Sequence, residues 1–326
     1  MQVLIIGAAG MIGRKVSEAI AKTGTLGDRP VTALKLADVV APTAPAGFTG
    51  TVETLAVDIG DPATAPALIA SRPDVVIILA AIVSGEAEAD FDKGYRINLD
   101  GTRWLLDAIR TQGDGYCPRV VFSSSAAVFG RPFPDQISDD FHLTPLTSYG
   151  TQKAIGELLV SDYSRRGFLD GVSLRLPTIC IRPGKPNLAA SSFYSGILRE
   201  PLAGLAAKLP VPTTTRHWFA SPRAAVGFVI HAATMDTGPI GPNRALTMPG
   251  LSATVGDQIE ALRRVAGDAA VALIEPAEDP AVAAIVGGWA QDFEAKRATD
   301  LGFKAESSFD EIIRIHIEEE LGGSLG

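Results

Sequence analysis

The sequence predicts an α/β protein built on a doubly wound parallel sheet, followed by a smaller C-terminal lobe suited to covering a substrate. Three observations predict it. Short β-branched runs alternate with longer stretches of helical period through the first half, a glycine-rich turn follows the first run, and clustered prolines break up the chain after residue 177.

The strands are expected at 3–6, 31–36, 52–57, 75–79, 119–122 and 172–176. Apolar residues predominate in each, and the continuous apolar runs are expected to be strands buried on both faces. Helices are expected at about 11–22, 63–70, 92–112 and 148–166, where apolar residues return with helical spacing. Pro177, Pro183, Pro186, Pro201, Pro210 and Pro212 then interrupt regular structure. The expected division is residues 1–177 for a dinucleotide-binding domain and 178–326 for a substrate-binding lobe, with some later segments packing back on the first domain. No internal repeat or low-complexity tract is present.

A chain of 326 residues with 46% hydrophobic and 20% charged residues can bury a core and still keep a cleft. Its net charge of −8, with both signs interspersed, offers no basic stripe for a phosphate backbone, so no nucleic-acid partner is expected. Cys117 and Cys180 fit neither a zinc motif nor a disulfide framework, which suits a reducing cytoplasm. The apolar start is interrupted by glycines and then Arg14 and Lys15, the wrong order for a secretory signal. No run approaches the roughly 18 apolar residues of a membrane span, so no membrane partner is expected either.

Gly7-Ala-Ala-Gly10-Met11-Ile12-Gly13 lies between the first strand and the first helix. Missing side chains there let backbone N–H groups approach a pyrophosphate at the positive helix end, the arrangement of a Rossmann dinucleotide site. Asp38, after the second strand, can accept from the adenosine ribose hydroxyls and would repel a 2′-phosphate, which favours NAD over NADP. Val39 and Val40 follow it and supply no arginine. Asp58-Ile59 and Leu79-Ala80-Ala81 sit at further carboxyl ends of strands. Asp58 serves there either as an adenine contact or as a helix cap before Pro62.

Tyr149-Gly-Thr-Gln-Lys153 puts a phenol and an ammonium one helical turn apart. An ammonium beside a phenol lowers its pKa from about 10, which makes tyrosine a usable general base for an alcohol proton. Alone, this spacing also describes a surface pair. Ser123-Ser-Ser125 supplies the context, since hydroxyls at the end of the fifth strand can hold a substrate oxygen beside the tyrosine, while turn formation and capping account for one or two of the three. Asn98 interrupts a helical stretch and either holds water or a carbonyl near the lysine or bonds locally in a bent helix. His142, His217, His231 and His316 show no metal-ligand spacing and read as structural or surface residues, so no metal is expected.

With these residues in hand, the chain resembles the extended short-chain dehydrogenases, the NAD-dependent epimerase/dehydratase family, over nearly its full length. The family's three glycines match Gly7, Gly10 and Gly13, its ribose acid Asp38, its Asp-hydrophobic pair Asp58-Ile59, and its Asn-Gly-Thr element Asn98, Gly101 and Thr102. The resemblance implies Ser125 as catalytic serine, Tyr149 as acid/base and Lys153 as its partner on the nicotinamide ribose. It also implies that Pro177 and Thr178 meet the nicotinamide carboxamide, and that two long helices per subunit pair in a homodimer.

Ala81-Ile-Val-Ser84-Gly-Glu-Ala-Glu, Arg182-Pro-Gly-Lys185-Pro186-Asn187 to Phe193, Arg199 to Gly204 and Thr215 to Trp218 resemble a sugar-acid dehydrogenase branch. Where nucleotide-sugar enzymes carry Asn-x-Tyr-Gly-Pro, this chain reads Pro177-Thr-Ile-Cys-Ile-Arg-Pro-Gly184, which weakens the case for a UDP-sugar. Candidates for the substrate are Ser84, Ser125, Tyr149, Arg182, Ser191, Ser192 and Arg216. Arg216 is the first choice for a carboxylate, against a structural ion pair for the same side chain. The expected activity is NAD-linked oxidation of the 2-hydroxyl of a small sugar acid. The alternatives are an epimerase or dehydratase that keeps its NAD bound, and a non-catalytic dinucleotide sensor.

Overall fold

The computed structural model describes residues 1–184 and 189–323. Lys185, Pro186 and Asn187 of the motif quoted above lie outside the described residues. Among the described residues, no helix is long and apolar enough to cross a membrane.

The chain divides into two compact units. The first comprises residues 1–128, 145–175 and 226–247. It carries a seven-stranded sheet: β1 (Gln2–Ile6), β2 (Ala33–Asp38), β3 (Thr51–Ala56), β4 (Val75–Ile78), β5 (Arg119–Ser125), β6 (Asp170–Leu176) and β7 (Ala245–Thr247), in spatial order β7-β6-β5-β4-β1-β2-β3. Neighbours pair in parallel, with Ile6 opposite Ala37 on one side and Ile78 on the other. The six expected strands are all present. β7 is additional: its three residues fall between Pro242 and Pro249, too short a run to show a strand period.

Helix α1 (Met11–Thr23) buries Val16, Ile20 and Ala21 and stops at Gly24, whose left-handed φ of 69° turns its N–H onto the Ile20 carbonyl. α2 (Thr64–Ile69), α3 (Ser84–Ala89), α4 (Thr102–Thr111) and α5 (Ser148–Arg165) follow. Leu105 and Ile109 of α4 and Val160 of α5 close over Leu4, Val76, Val120 and Phe122 of the sheet. The long helix expected at 92–112 is instead three pieces: a short helix at Phe91–Gly94, a π-helical segment at Tyr95–Gly101, and α4. A Cβ on Gly101 would lie 2.8 Å from the Ile59 carbonyl oxygen, so this widened turn packs directly on the loop after β3.

The second unit comprises residues 129–144, 176–225 and 248–326. Strand Arg216–Ala220 lies between Thr178–Ile179, to which it is parallel, and Leu251–Thr254, to which it is antiparallel. Helices Ser192–Leu202, Val255–Ala266 and Phe309–Glu320 bury Tyr194, Ile197, Leu262, Phe309, Ile312 and Ile313 around Phe219. This unit is more regular than its prolines suggest. Pro201 falls in the last turn of its helix, Ser192–Leu202.

Candidate active site

The sheet changes direction beside β1, because the chain winds outward from it to β2 and β3 on one side and to β4 and beyond on the other. Loops at the carboxyl ends of β1 and β4 diverge at such a point and leave a crevice. Gly7 takes a left-handed φ of 92° and donates to the Ala37 carbonyl at 2.8 Å. A Cβ there would sit 2.5 Å from the Ala80 nitrogen, and one on Gly13 only 2.2 Å from the Gly7 oxygen. Both positions therefore require glycine. Gly10 is the N-cap of α1, no side chain caps that end, and no acid occupies the first turn. The amino end of α1, with Met11 and Ile12, thus presents N–H groups and a positive end to an anion. The cradle fits the pyrophosphate of a dinucleotide.

Asp38 ends β2 and braces this loop: one carboxylate oxygen accepts from the Ala9 N–H at 2.9 Å and the other from that of Val39 at 2.7 Å. Asp58 does not cap α2, whose N-cap is Ala63. Its carboxylate accepts from the Gly60 N–H at 2.7 Å and from Arg96 at 2.8 Å. Burial pushes its pKa up, but those two donors and the Arg96 and Lys93 charges outweigh that and hold it below the usual carboxylate range.

The three serines separate by role. Ser123 gives its carbonyl to Lys153 Nζ at 2.7 Å, and Ser124 donates to Glu157 at 2.5 Å. Glu157 is itself buried in a bidentate pair with Arg175, so Ser124 is committed to the interior. Ser125, at the end of β5, stays partly exposed, its Oγ accepting from the Ala127 N–H at 3.2 Å.

Helix α5 is seated by two glycines and a cap. Thr147 accepts from the Gly150 N–H at 3.0 Å. A Cβ on Gly150 would meet the Ala127 oxygen at 2.2 Å, and one on Gly156 the Phe122 ring at 2.6 Å. The first turn of α5, with Tyr149, is thereby pressed against the turn that follows Ser125. Lys153 Nζ lies 5.7 Å from the centre of the Tyr149 ring and 4.8 Å from that of Phe122.

Lys153 is fully buried, and that desolvation brings its pKa down to about 7, partly opposed by the Glu157 charge. Its folded value lies below the 10.5 of a free lysine. The fold is therefore penalised in full below about pH 7, and relieved as pH rises from there toward the unfolded value. Lys153→Met is expected to raise the melting temperature most at about pH 6 and least at about pH 10. A gain that does not shrink with pH, read by thermal melts across that range, contradicts a charge held there at a cost.

Asn98 lies in the π-helical segment and holds the backbone of Ile82 from both sides, accepting from its N–H at 2.9 Å and donating to its carbonyl at 3.2 Å. It thus fixes the residue that follows Leu79-Ala80-Ala81. Asn98 also donates to the Gln152 side chain at 2.8 Å, a partner that sequence reasoning missed because a polar helix residue reads as solvent-facing. Glu157 was missed too, although its spacing of four from Lys153 places it on the same helix stripe. Ser84 opens α3.

In the second unit, Thr178 follows Pro177 and meets His217 Nε2 at 2.7 Å. His217 is stacked on Tyr194, and burial lowers its pKa to about 4, so it is neutral. Arg182 donates from its guanidinium to the Ile179 carbonyl at 3.2 Å, and its carbonyl accepts from Arg199. Ser191 and Ser192 begin the helix Ser192–Leu202. Arg216 is exposed, its guanidinium 3.4 Å from the Ser252 carbonyl and hydroxyl.

The profile of the NAD dependent epimerase/dehydratase family matches residues 3–220. The chain is 48% identical over 321 residues to D-erythronate dehydrogenase of Cupriavidus necator, covering 98% of each. It is 40% identical to D-erythronate dehydrogenase of Haemophilus influenzae, covering 98% of this chain and 100% of that one. A crystal structure described as a nucleoside-diphosphate-sugar epimerase from Agrobacterium tumefaciens superposes with a TM-score of 0.98 at 65% identity, over 100% of this chain and 96% of that one.

Proposed function

The chain belongs to the NAD dependent epimerase/dehydratase family, and from that premise we propose that it oxidises the 2-hydroxyl of a four-carbon sugar acid, D-erythronate or a close relative, to the 2-oxo acid. The observation that carries this reading is the full-length likeness to two D-erythronate dehydrogenases, in a chain that carries Ser125, Tyr149 and Lys153. NAD, when bound, supplies the hydride acceptor.

Gly7, Gly10, Met11, Ile12 and Gly13 hold its pyrophosphate, Asp38 the adenosine ribose, and Asp58 and Ile59 the adenine edge. Leu79, Ala80, Ala81 and Asn98 line the path to the nicotinamide, which Pro177 and Thr178 meet at its carboxamide. Ser125 orients the substrate hydroxyl and Tyr149 takes its proton. Lys153 holds the nicotinamide ribose and stabilises the phenolate. Ser84, Arg182, Ser191, Ser192 and Arg216 are the contacts proposed for the remaining hydroxyls and the carboxylate. The division at residues 177 and 178, a homodimer and a cytoplasmic location belong to the same proposal.

Asp38→Asn keeps the shape of the ribose contact and removes the charge that repels a 2′-phosphate. The ratio of kcat/KM with NAD to that with NADP is expected to narrow by roughly 10-fold or more. An unchanged ratio in steady-state assays with the two cofactors removes Asp38 from that role.

The function itself is tested by mixing the purified protein and NAD with a panel of four- to six-carbon sugar acids, with UDP-sugars as controls. Net NADH on D-erythronate supports the proposal. Conversion of a UDP-sugar with no net NADH would instead support an epimerase, the activity in the description of the Agrobacterium protein.

A further inference from the structure

Gln152 is completely buried on α5, beside Lys153, although a glutamine is an expensive side chain to bury. Its Oε1 accepts from Asn98, but among the described residues its Nε2 has no hydrogen-bond partner. That nitrogen is packed so tightly that a Cβ on Gly94 would come within 2.7 Å of it. An apolar side chain of equal size would fill this space without an orphaned donor, so packing does not account for the carboxamide. What the carboxamide adds is one bond, to Asn98.

Asn98 in turn holds both backbone groups of Ile82. Three segments otherwise remote in sequence are thereby tied in a line: the loop after β4, the π-helical segment, and the helix that carries Tyr149 and Lys153. A slip of α5 along its axis would stretch the Gln152 bond, and a shift of the loop would break the Ile82 bonds. We propose that Gln152 is a positioning residue that, through Asn98, sets the register of the Tyr149/Lys153 helix against the cofactor-side loop at Leu79-Ala80-Ala81. This rests on the reading of Tyr149 and Lys153 as the acid/base pair beside bound NAD. Gln152 itself touches no reacting atom.

The test is a double-mutant cycle on the full chain with Gln152→Met, which keeps the volume and removes the acceptor, and Asn98→Ala. The primary readout is the NAD dissociation constant from titration without substrate; the split of kcat from KM for NAD is the second. Each single variant is expected to weaken NAD binding about 5- to 10-fold, and the double variant no more than the worse single one, because both cut the same line. kcat/KM is expected to fall on the order of 10- to 100-fold in both.

Multiplied effects in the double variant, or a folded Gln152→Met protein with unchanged NAD affinity and turnover, overturn the proposal. Should Gln152→Met not fold, Gln152→Asn, one methylene shorter, replaces it with the same expected losses. If neither folds, the amide serves stability and the proposal is equally overturned. A wild-type chain that turns over no sugar acid counts against the proposed function alone, since the cycle is read in NAD binding.

Discussion

Tyr149→Phe is expected to lower kcat/KM by roughly 10²- to 10⁴-fold, the usual contribution of a positioned acid/base group, while NAD still binds. The ring remains and the proton acceptor is gone. In the wild type the same group sets the pH dependence. Oxidation needs the proton off the phenol, so kcat/KM falls as pH falls. The Lys153 Nζ, near the Tyr149 ring, favours the phenolate while it carries its proton. The acid limb is expected below the ~10 of a free tyrosine. In Lys153→Met the residual activity should lose this help, its acid limb moving up toward the tyrosine value. Full turnover by Tyr149→Phe, or an acid limb that ignores Lys153, would remove the pair from the chemistry.

The second large effect is expected at Gly13. An added methyl group would lie 2.2 Å from the Gly7 oxygen and 2.7 Å from the Ala8 Cα, both backbone atoms with no rotamer to give way. Gly13→Ala must therefore push α1 off the loop. Overpacking of this kind costs about 1–3 kcal/mol. It also displaces the N–H groups at the helix end, so NAD affinity should drop roughly 10-fold or more, each ~1.4 kcal/mol being tenfold. Calorimetric titration and thermal melts read the two effects separately. Unchanged affinity would mean that the pyrophosphate lies elsewhere.

The centre of the sheet was legible because β1 and β4 are buried on both faces: Val3 to Ile6 and Val75 to Ile78 carry no polar residue to confuse the period, whereas the edge strand β3 was expected to be buried and is largely exposed. The glycine loop was legible for a related reason, since Gly13 answers to the Gly7 oxygen and the Ala8 Cα, backbone atoms of the same loop. What stayed hidden depends on distant contacts. The π-helical widening around Asn98 leaves the apolar pattern nearly unchanged, yet answers to Ile59 and Ile82, which lie far off in sequence. Gln152 looks like a surface residue until the 91–94 turn packs over it. Likewise, only the folded arrangement separates Ser124, spent on Glu157, from Ser125, left at the strand end.

The central claim is that a phenol, an amine and a strand-end hydroxyl meet at the nicotinamide, and a crystal structure with NAD and a sugar acid bound tests it most directly. The expected result is the Tyr149 and Ser125 hydroxyls both within hydrogen-bond reach of the substrate 2-hydroxyl, with Lys153 Nζ on the nicotinamide ribose. A Tyr149 hydroxyl turned to solvent, with the sugar acid bound away from the nicotinamide ring, would contradict it.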